Sequence, residues 1–320
     1  MVKKIIMIHT IQKNSIAISG TGDSSSMYRH AVLVTGKFLK FGRIKDEELF
    51  EIENPEDIIN ALSNAGQCKP DIFTFRQALP ETKPKYDYPM EWEPIAAINI
   101  TSYEHWLKNQ ISSETRNKIR KSVKKGIEVK RVEFNDELVE GIMDIFNETP
   151  IRRGVPFWHY GKDFETVKEE WSRDLEKSDF IGAYYKKKLI GYIKQIYTPN
   201  YVDVVQFISK LEHRDKYPNN AMIAKAIEIC GEKKIPFLMY TGVYRRGNHG
   251  EFQRRIGFER VLLPRYYVPM TFKGRTALLL KLHHGIRGIL PEVVVDRLID
   301  LRTRWYTFQY SKVLNKPKNA

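Results

Sequence analysis

The chain has 320 residues, 42% of them hydrophobic, enough to bury a core in one large domain or two smaller ones. The 53 lysines and arginines against 39 acids leave a net charge of +14, which favours an anionic partner such as nucleic acid, a phosphorylated donor or a lipid headgroup. Two cysteines, Cys68 and Cys230, exclude a disulfide framework and a CxxC zinc site, and no apolar run approaches the roughly 18 residues of a membrane span, so a soluble protein of the reducing cytoplasm is expected. The opening MVKKIIMIHTIQKN is too short in apolar residues for a signal peptide and reads as a first strand.

In chain order, IIMIHTI, HAVLVTGKFLKFG and DIFTFRQAL alternate apolar runs with turn residues and are predicted strands. NPEDIINALSNAG is a predicted helix, with Asn54 as cap, Pro55 in the first turn, Glu56 and Asp57 beside it and Gly66 as stop. Pro80, Pro84, Pro89 and Pro94 then mark a connection between two halves. A capping box of Thr101 and Glu104 opens the next helix, and ISSETRNKIRKSVKKGIEV forms another, ended by Gly126. Helices are also predicted behind Asn135 and Asp163, followed by an antiparallel meander of DFIGAYY, LIGYIKQIY and VDVVQFISK, whose connecting turns are too short for crossovers. The loop HRDKYPNN opens into a helix, then come a strand IPFLMYTGVY, a short helix EFQRRIGF, a strand pair around PRYYVPMT and TALLLKL, and a last helix PEVVVDRLIDLRTRWYTFQYSKVL.

Several clusters carry possible chemistry. Arg116, Arg120 and Lys124 recur every fourth residue with Lys121 and Lys125 beside them, opposite a narrow stripe of Ile119 and Val123, which makes a one-sided cationic face. This is either a solvated helix whose last lysines complement its dipole or a phosphate-binding surface. FNETPIRRGVPFWHYGKDF sets Arg152 and Arg153 among Phe157, Trp158, His159 and Tyr160. Read as a substrate-facing loop, it offers Arg152, Arg153, Trp158 and Tyr160 for binding and His159 as a candidate general base; read as a plug, its aromatics fill the core. Arg265 is a further candidate to line a cleft, with Tyr266 and Tyr267 beside it read as core and rim. His283 and His284 are adjacent, not at the i, i+4 spacing of a two-point metal grip, so no metal is expected. In the last helix Trp305, Tyr306, Phe308 and Tyr310 sit among Arg302, Arg304 and Lys312, which suits packing onto the body or a peripheral contact with an anionic membrane surface.

The order DFIGAYYKKKLIGYIKQIY, VDVVQFISK, a helix-opening loop, IPFLMYTGVY and FQRRIGFERV resembles the catalytic half of the GNAT superfamily of acyltransferases. Residues 86 to about 275, with RNKIRKSVKKGIEV as the most specific piece, resemble the Fem-type aminoacyltransferases, which pair two such halves. The resemblance implies an α+β fold, a mixed and mainly antiparallel sheet flanked by helices. It divides the chain into a partial N-terminal half (1–85), a linker, basic helix and catalytic half (86–275), and a C-terminal helix and tail (276–320). It implies direct transfer of an acyl or aminoacyl group from aminoacyl-tRNA or an acyl-CoA thioester to a primary amine. No Ser/His/Asp or Cys/His set is visible for a covalent intermediate.

On that reading Gln206 and Tyr240 join His159 as catalytic candidates, and main-chain N–H groups of the 205–210 strand would steady the oxyanion. The donor would lie on Arg116, Arg120, Lys121 and Lys124 and on His213, Arg214, Lys216, Asn219 and Asn220. Two departures tilt the donor away from CoA. Tyr217, Pro218, Asn219 and Asn220 stand where the family usually has Gly-x-Gly or Gly-x-Ala, and Gln253 stands where many members have a proton-donating tyrosine. No long helical arm like that of the peptidoglycan-bridge enzymes is visible, which tells against that substrate. The alternatives are a conventional acetyl-CoA-dependent N-acetyltransferase of an amino sugar or amino acid, and a catalytically silent module for nucleic acid or an anionic surface.

Overall fold

A computed structural model describes residues 7–12, 15–21, 27–49, 51–240, 248–285 and 292–310. The chain forms two units, one of Met1–Pro94 with Leu262–Leu290, the other of Ile95–Val261 with Pro291–Ala320.

In the first unit β1 (Met7–Gln12), β2 (Ser15–Thr21), β3 (Met27–Thr35) and β4 (Phe41–Ile44) form an antiparallel meander. Helix α1 (Pro55–Ser63) crosses to β5 (Ile72–Arg76), which runs parallel to β4. Ile58, Ala61 and Leu62 recur at helical spacing and bury themselves with Phe73 and Phe75. Asn54 has extended backbone angles but makes no side-chain cap, so Pro55 alone marks the start of the helix. β6 (Met90–Asn99) carries the chain onward.

The second unit starts with the end of β6, then α2 (Tyr103–His105), which continues as a π-turn, and α3 (Ser113–Lys124). The cap of α2 is Ser102, which accepts the His105 N–H, one residue beyond the expected Thr101. Then come β7 (Ile127–Val132), α4 (Asp136–Phe146), a small hairpin of β8 (Ile151–Arg152) and β9 (Val155–Pro156), and α5 (Phe164–Trp171). Asn135 and Asp163 cap α4 and α5 as expected. The meander is β10 (Ser178–Tyr185), β11 (Lys188–Tyr197) and β12 (Val202–Ser209). Helix α6 (Pro218–Glu232), strand β13 (Phe237–Tyr240), helix α7 (Asn248–Arg255), strand β14 (Glu259–Pro269), helix α8 (Phe272–Leu279) and helix α9 (Glu292–Gln309) complete the chain. Strands β7, β10, β11 and β12 pair antiparallel in that spatial order, while β13 is parallel to β12. Neighbouring residues of β10 feed opposite layers: Ile181 packs with Met222, Ile223 and Ile227 of α6, and Phe180 with Phe146 and Trp171 of α4 and α5.

Both units therefore repeat one plan of antiparallel strands, a helix and a parallel strand, and each ends on an antiparallel strand taken from elsewhere in the chain. β6 follows β5 in sequence but pairs with β13, and β14 follows β13 but pairs with β5. This exchange moves the boundary from 85/86 to 94/95 and returns 262–290 to the first unit. TALLLKL, expected to be a strand, lies mostly in α8. Thr271 caps that helix by accepting the Gly274 N–H and donating to Asp71, and the backbone approaches so closely that a Cβ on Gly274 would stand 1.9 Å from the Asp71 carbonyl oxygen.

Candidate functional site

The second unit sets two parallel strands, β12 and β13, side by side. Among the described residues β12 and β13 pair at Val202–Leu238 and Asp203–Met239. Opposite, the ladder with β11 jumps from Val204 to Gln206, leaving Val205 as an extra, exposed residue in a bulge. Gln206 and Phe207 are both half-buried; Gln206 lies on the Tyr192 side, and the Phe207 ring lies 6.4 Å from Tyr240 and 6.1 Å from Phe252 of α7. Of the catalytic candidates, Gln206 lies in β12 and Tyr240 in β13. Gln253, the expected counterpart of a proton-donating tyrosine, is instead fully buried.

β12 runs into a 3₁₀ turn (Leu211–Lys216) and then α6. Glu148, at the end of α4, lays its carboxylate on the N–H groups of Leu211 (2.7 Å) and Glu212 (3.0 Å) and is paired with Arg152 at 2.8 Å. Lys210 N–H is held by the Ile190 carbonyl and Tyr217 N–H by the Arg214 carbonyl. Tyr217 is in the left-handed region (φ 59°), Pro218 has no N–H, and the N–H groups of Asn220 and Ala221 both turn back to the Tyr217 carbonyl. The helix start is consequently poor in outward N–H groups, in contrast to a glycine-lined anion cradle. Asn220 is buried, lining a groove of about 120 Å³ with Thr115, Lys118, Glu251, Phe252 and Arg255. The Asn219 side-chain oxygen is buried without a partner.

Positive side chains surround this turn. Lys125 donates to the Asp215 carbonyl (2.7 Å) and lies 5.4 Å from the Tyr217 ring centre. Lys186, Lys216 and His213 gather about the Tyr185 ring at 5.6, 5.1 and 5.4 Å. Burial lowers the His213 pKa, opposed by Glu212. Arg120, Lys121 and Lys124 are exposed along α3 and make no ion pair among the described residues. Arg214 is also exposed, and its charge, with that of Arg153, adds to burial in lowering the Arg152 pKa against the pull of Glu148. Lys125 had been read as part of the cationic face, whereas Tyr185, Lys186 and Glu148 were not among the sequence candidates. The YKKK turn could have flagged Tyr185 and Lys186, whereas nothing in the sequence ties Glu148 to residue 211.

Four of the nominated residues take other roles. Arg116 points back to cap the preceding turn, donating to the carbonyls of Leu107, Lys108 and Ile111, so it does not share the outward face of Arg120 and Lys124. His159 is 3% exposed and stacks on Phe146 at 4.2 Å, with Trp171 edge-on at 5.0 Å; burial, helped by Lys162, pushes its pKa down to about 3, which removes it as a neutral-pH general base. Arg152 is committed to Glu148 and to the Ser209 and Ile145 carbonyls. Arg265 belongs to the first unit, clamped by Glu47 and Glu93; burial opposes its charge, but the two carboxylates outweigh that and hold its pKa above the ordinary value. The outer part of the aromatic loop stays open: Arg153, Trp158 and Tyr160 are exposed, with Lys162 lying 3.8 Å over the Trp158 ring.

One group among the described residues of the first unit could hold a divalent ion. The Nε2 atoms of His283 and His284 both meet the same Glu91 oxygen, at 2.9 and 3.0 Å. The adjacent pair, set aside on helical spacing, converges because a 3₁₀ turn (Leu282–His284) brings the rings to 4.0 Å.

No protein-family profile and no curated protein sequence matches the chain. Solved structures do. FemX is 11% identical, with 86% of this chain and 90% of that one aligned at a TM-score of 0.53. A domain of Agrobacterium fabrum, described as the C-terminal part of a lysylphosphatidylglycerol synthetase, is 12% identical over 87% and 86% of the two chains, TM-score 0.51. L-PGS from Bacillus licheniformis is 12% identical over 87% and 88%, TM-score 0.50. With the bulge in β12 and one plan of strands and helices given twice, the chain has a GNAT/Fem-like fold.

Proposed function

We propose that the protein transfers an aminoacyl group from aminoacyl-tRNA to a primary amine in the second unit. One observation carries the choice of donor. The N–H groups at the end of β12 and the start of α6 are engaged by Glu148 and by neighbouring carbonyls, which leaves little backbone to cradle a CoA pyrophosphate. The charge lies instead on the separated side chains of Arg120, Lys121, Lys124, Lys125, Arg214 and Lys216, a spread that suits a polyphosphate backbone. The names of the similar structures support aminoacyl chemistry, lysylphosphatidylglycerol being an aminoacylated lipid.

In this reading the amine attacks the ester carbonyl, a C–N bond forms and the C–O bond to the tRNA ribose breaks. The proton lost by the nitrogen ends on the departing oxygen. Main-chain donors of β12 near the Val205 bulge steady the oxyanion, while Gln206 and Tyr240 position the reactants. Cys68 and Cys230, both free, fit a reducing cytoplasm.

Thermal unfolding with charged tRNA and, separately, acetyl-CoA tests the donor. Charged tRNA should stabilise the protein and acetyl-CoA should not; stabilisation by acetyl-CoA alone, or by neither, overturns the reading. Replacing Arg120, Lys124 and Lys125 by alanine should reduce the slope of log affinity against log salt by about 2 to 3.

A further inference from the structure

Helix α9 is turned the opposite way from an ordinary surface helix. Val294, Leu298, Leu301, Trp305 and Phe308 recur at alternating intervals of four and three and are 40, 53, 62, 57 and 79% exposed. They share one stripe about 80° wide. Thr303, on the far side, meets the β8–β9 hairpin so closely that a Cβ on Gly154 would lie 2.4 Å from its methyl group. The apolar stripe therefore faces away from the body. Arg297 and Arg304 border it on one side and Arg302 and Gln309 on the other, all exposed, while Asp300 falls toward the Thr303 side.

Two occupants suit such a stripe, a second copy of the helix or a bilayer surface. The four-three spacing is that of a coiled-coil seam, in which the bordering positions of the two helices face one another. In either orientation a second copy would set arginine against arginine, with no acid among Arg297, Arg302, Arg304 and Gln309 to relieve the repulsion. An anionic layer satisfies those arginines, and Trp305 and Phe308 are rings of the kind that settle between headgroups and acyl chains. No described helix is long and apolar enough to cross a membrane.

We propose that α9 is an interfacial helix that seats the protein on a bilayer bearing anionic headgroups, with its apolar stripe in the acyl boundary and its arginines at the phosphates. The inference does not depend on which donor the second unit takes.

Co-sedimentation of the full chain with phosphatidylcholine vesicles, with and without phosphatidylglycerol, tests it. Binding is expected only with phosphatidylglycerol present and should fall with salt. The combined variant Arg297→Gln, Arg302→Gln and Arg304→Gln should weaken it on the order of 100-fold, and Leu298→Ser with Leu301→Ser and Phe308→Ser should abolish it. Circular dichroism of both variants should be unchanged, since the replaced side chains are exposed. Failure to bind, or equal binding by either variant, overturns the proposal. So does a concentration-dependent dimer in ultracentrifugation that the apolar variant abolishes, since the stripe would then be a contact between copies.

Discussion

His159 occupies a box of aromatic rings in which a positive charge has no compensating acid. Unfolding would return its pKa from about 3 toward about 6.5. Below that value the unfolded chain binds the extra proton, so stability falls as the pH drops from about 6.5 to about 3, by at most about 1.4 kcal/mol per pH unit. His159→Phe should flatten this part of the stability curve, as measured by denaturant unfolding across pH. The same residue shows how a sequence misleads at this scale. An aromatic and basic run looked like one loop with one purpose, but Trp158 points out and His159 points in, and only packing against Phe146 and Trp171 separates them. Arg116 is similar: its fourfold spacing with Arg120 was legible, its turn back to three carbonyls was not.

Between α4 and the turn after β12, Glu148 acts as a clasp, its buried carboxylate joining the Arg152 guanidinium to the Leu211 and Glu212 N–H groups. Glu148→Ala would leave Arg152 buried without its counter-charge, and a loss of about 3–5 kcal/mol in denaturant unfolding is expected. Glu148→Gln, which keeps the hydrogen-bonding shape, should lose less. Elements whose signals are local were readable in advance: the caps at Asn135 and Asp163, the short turns of the meander, and the order of helices and strands across the second unit. Where a distant contact decides, the sequence was silent. The run TALLLKL is apolar enough for a strand, and it becomes helical where Thr271 and Gly274 dock on Asp71, some 200 positions earlier in the chain. The Val205 bulge is likewise set by the register of two strands, not by a residue type that announces it.

Across the whole molecule, the net charge of +14 gains meaning from its distribution, since cations gather about α3 and the 3₁₀ turn that follows β12 while those of α9 border an apolar stripe. The exchange of β6 and β14 matters at this scale too. Arg76 in β5 pairs with Arg265 in β14, so residues 1–94 lack the strand that completes their sheet. That fragment, expressed alone, should show little protection in amide hydrogen exchange, while a mixture with the remaining chain should regain it if the halves recombine. During synthesis the consequence is one of timing. A ribosome delivers β5 long before β14, so the first unit must wait, with an open strand edge, while most of the second unit emerges, and the maturation of the one is tied to the synthesis of the other.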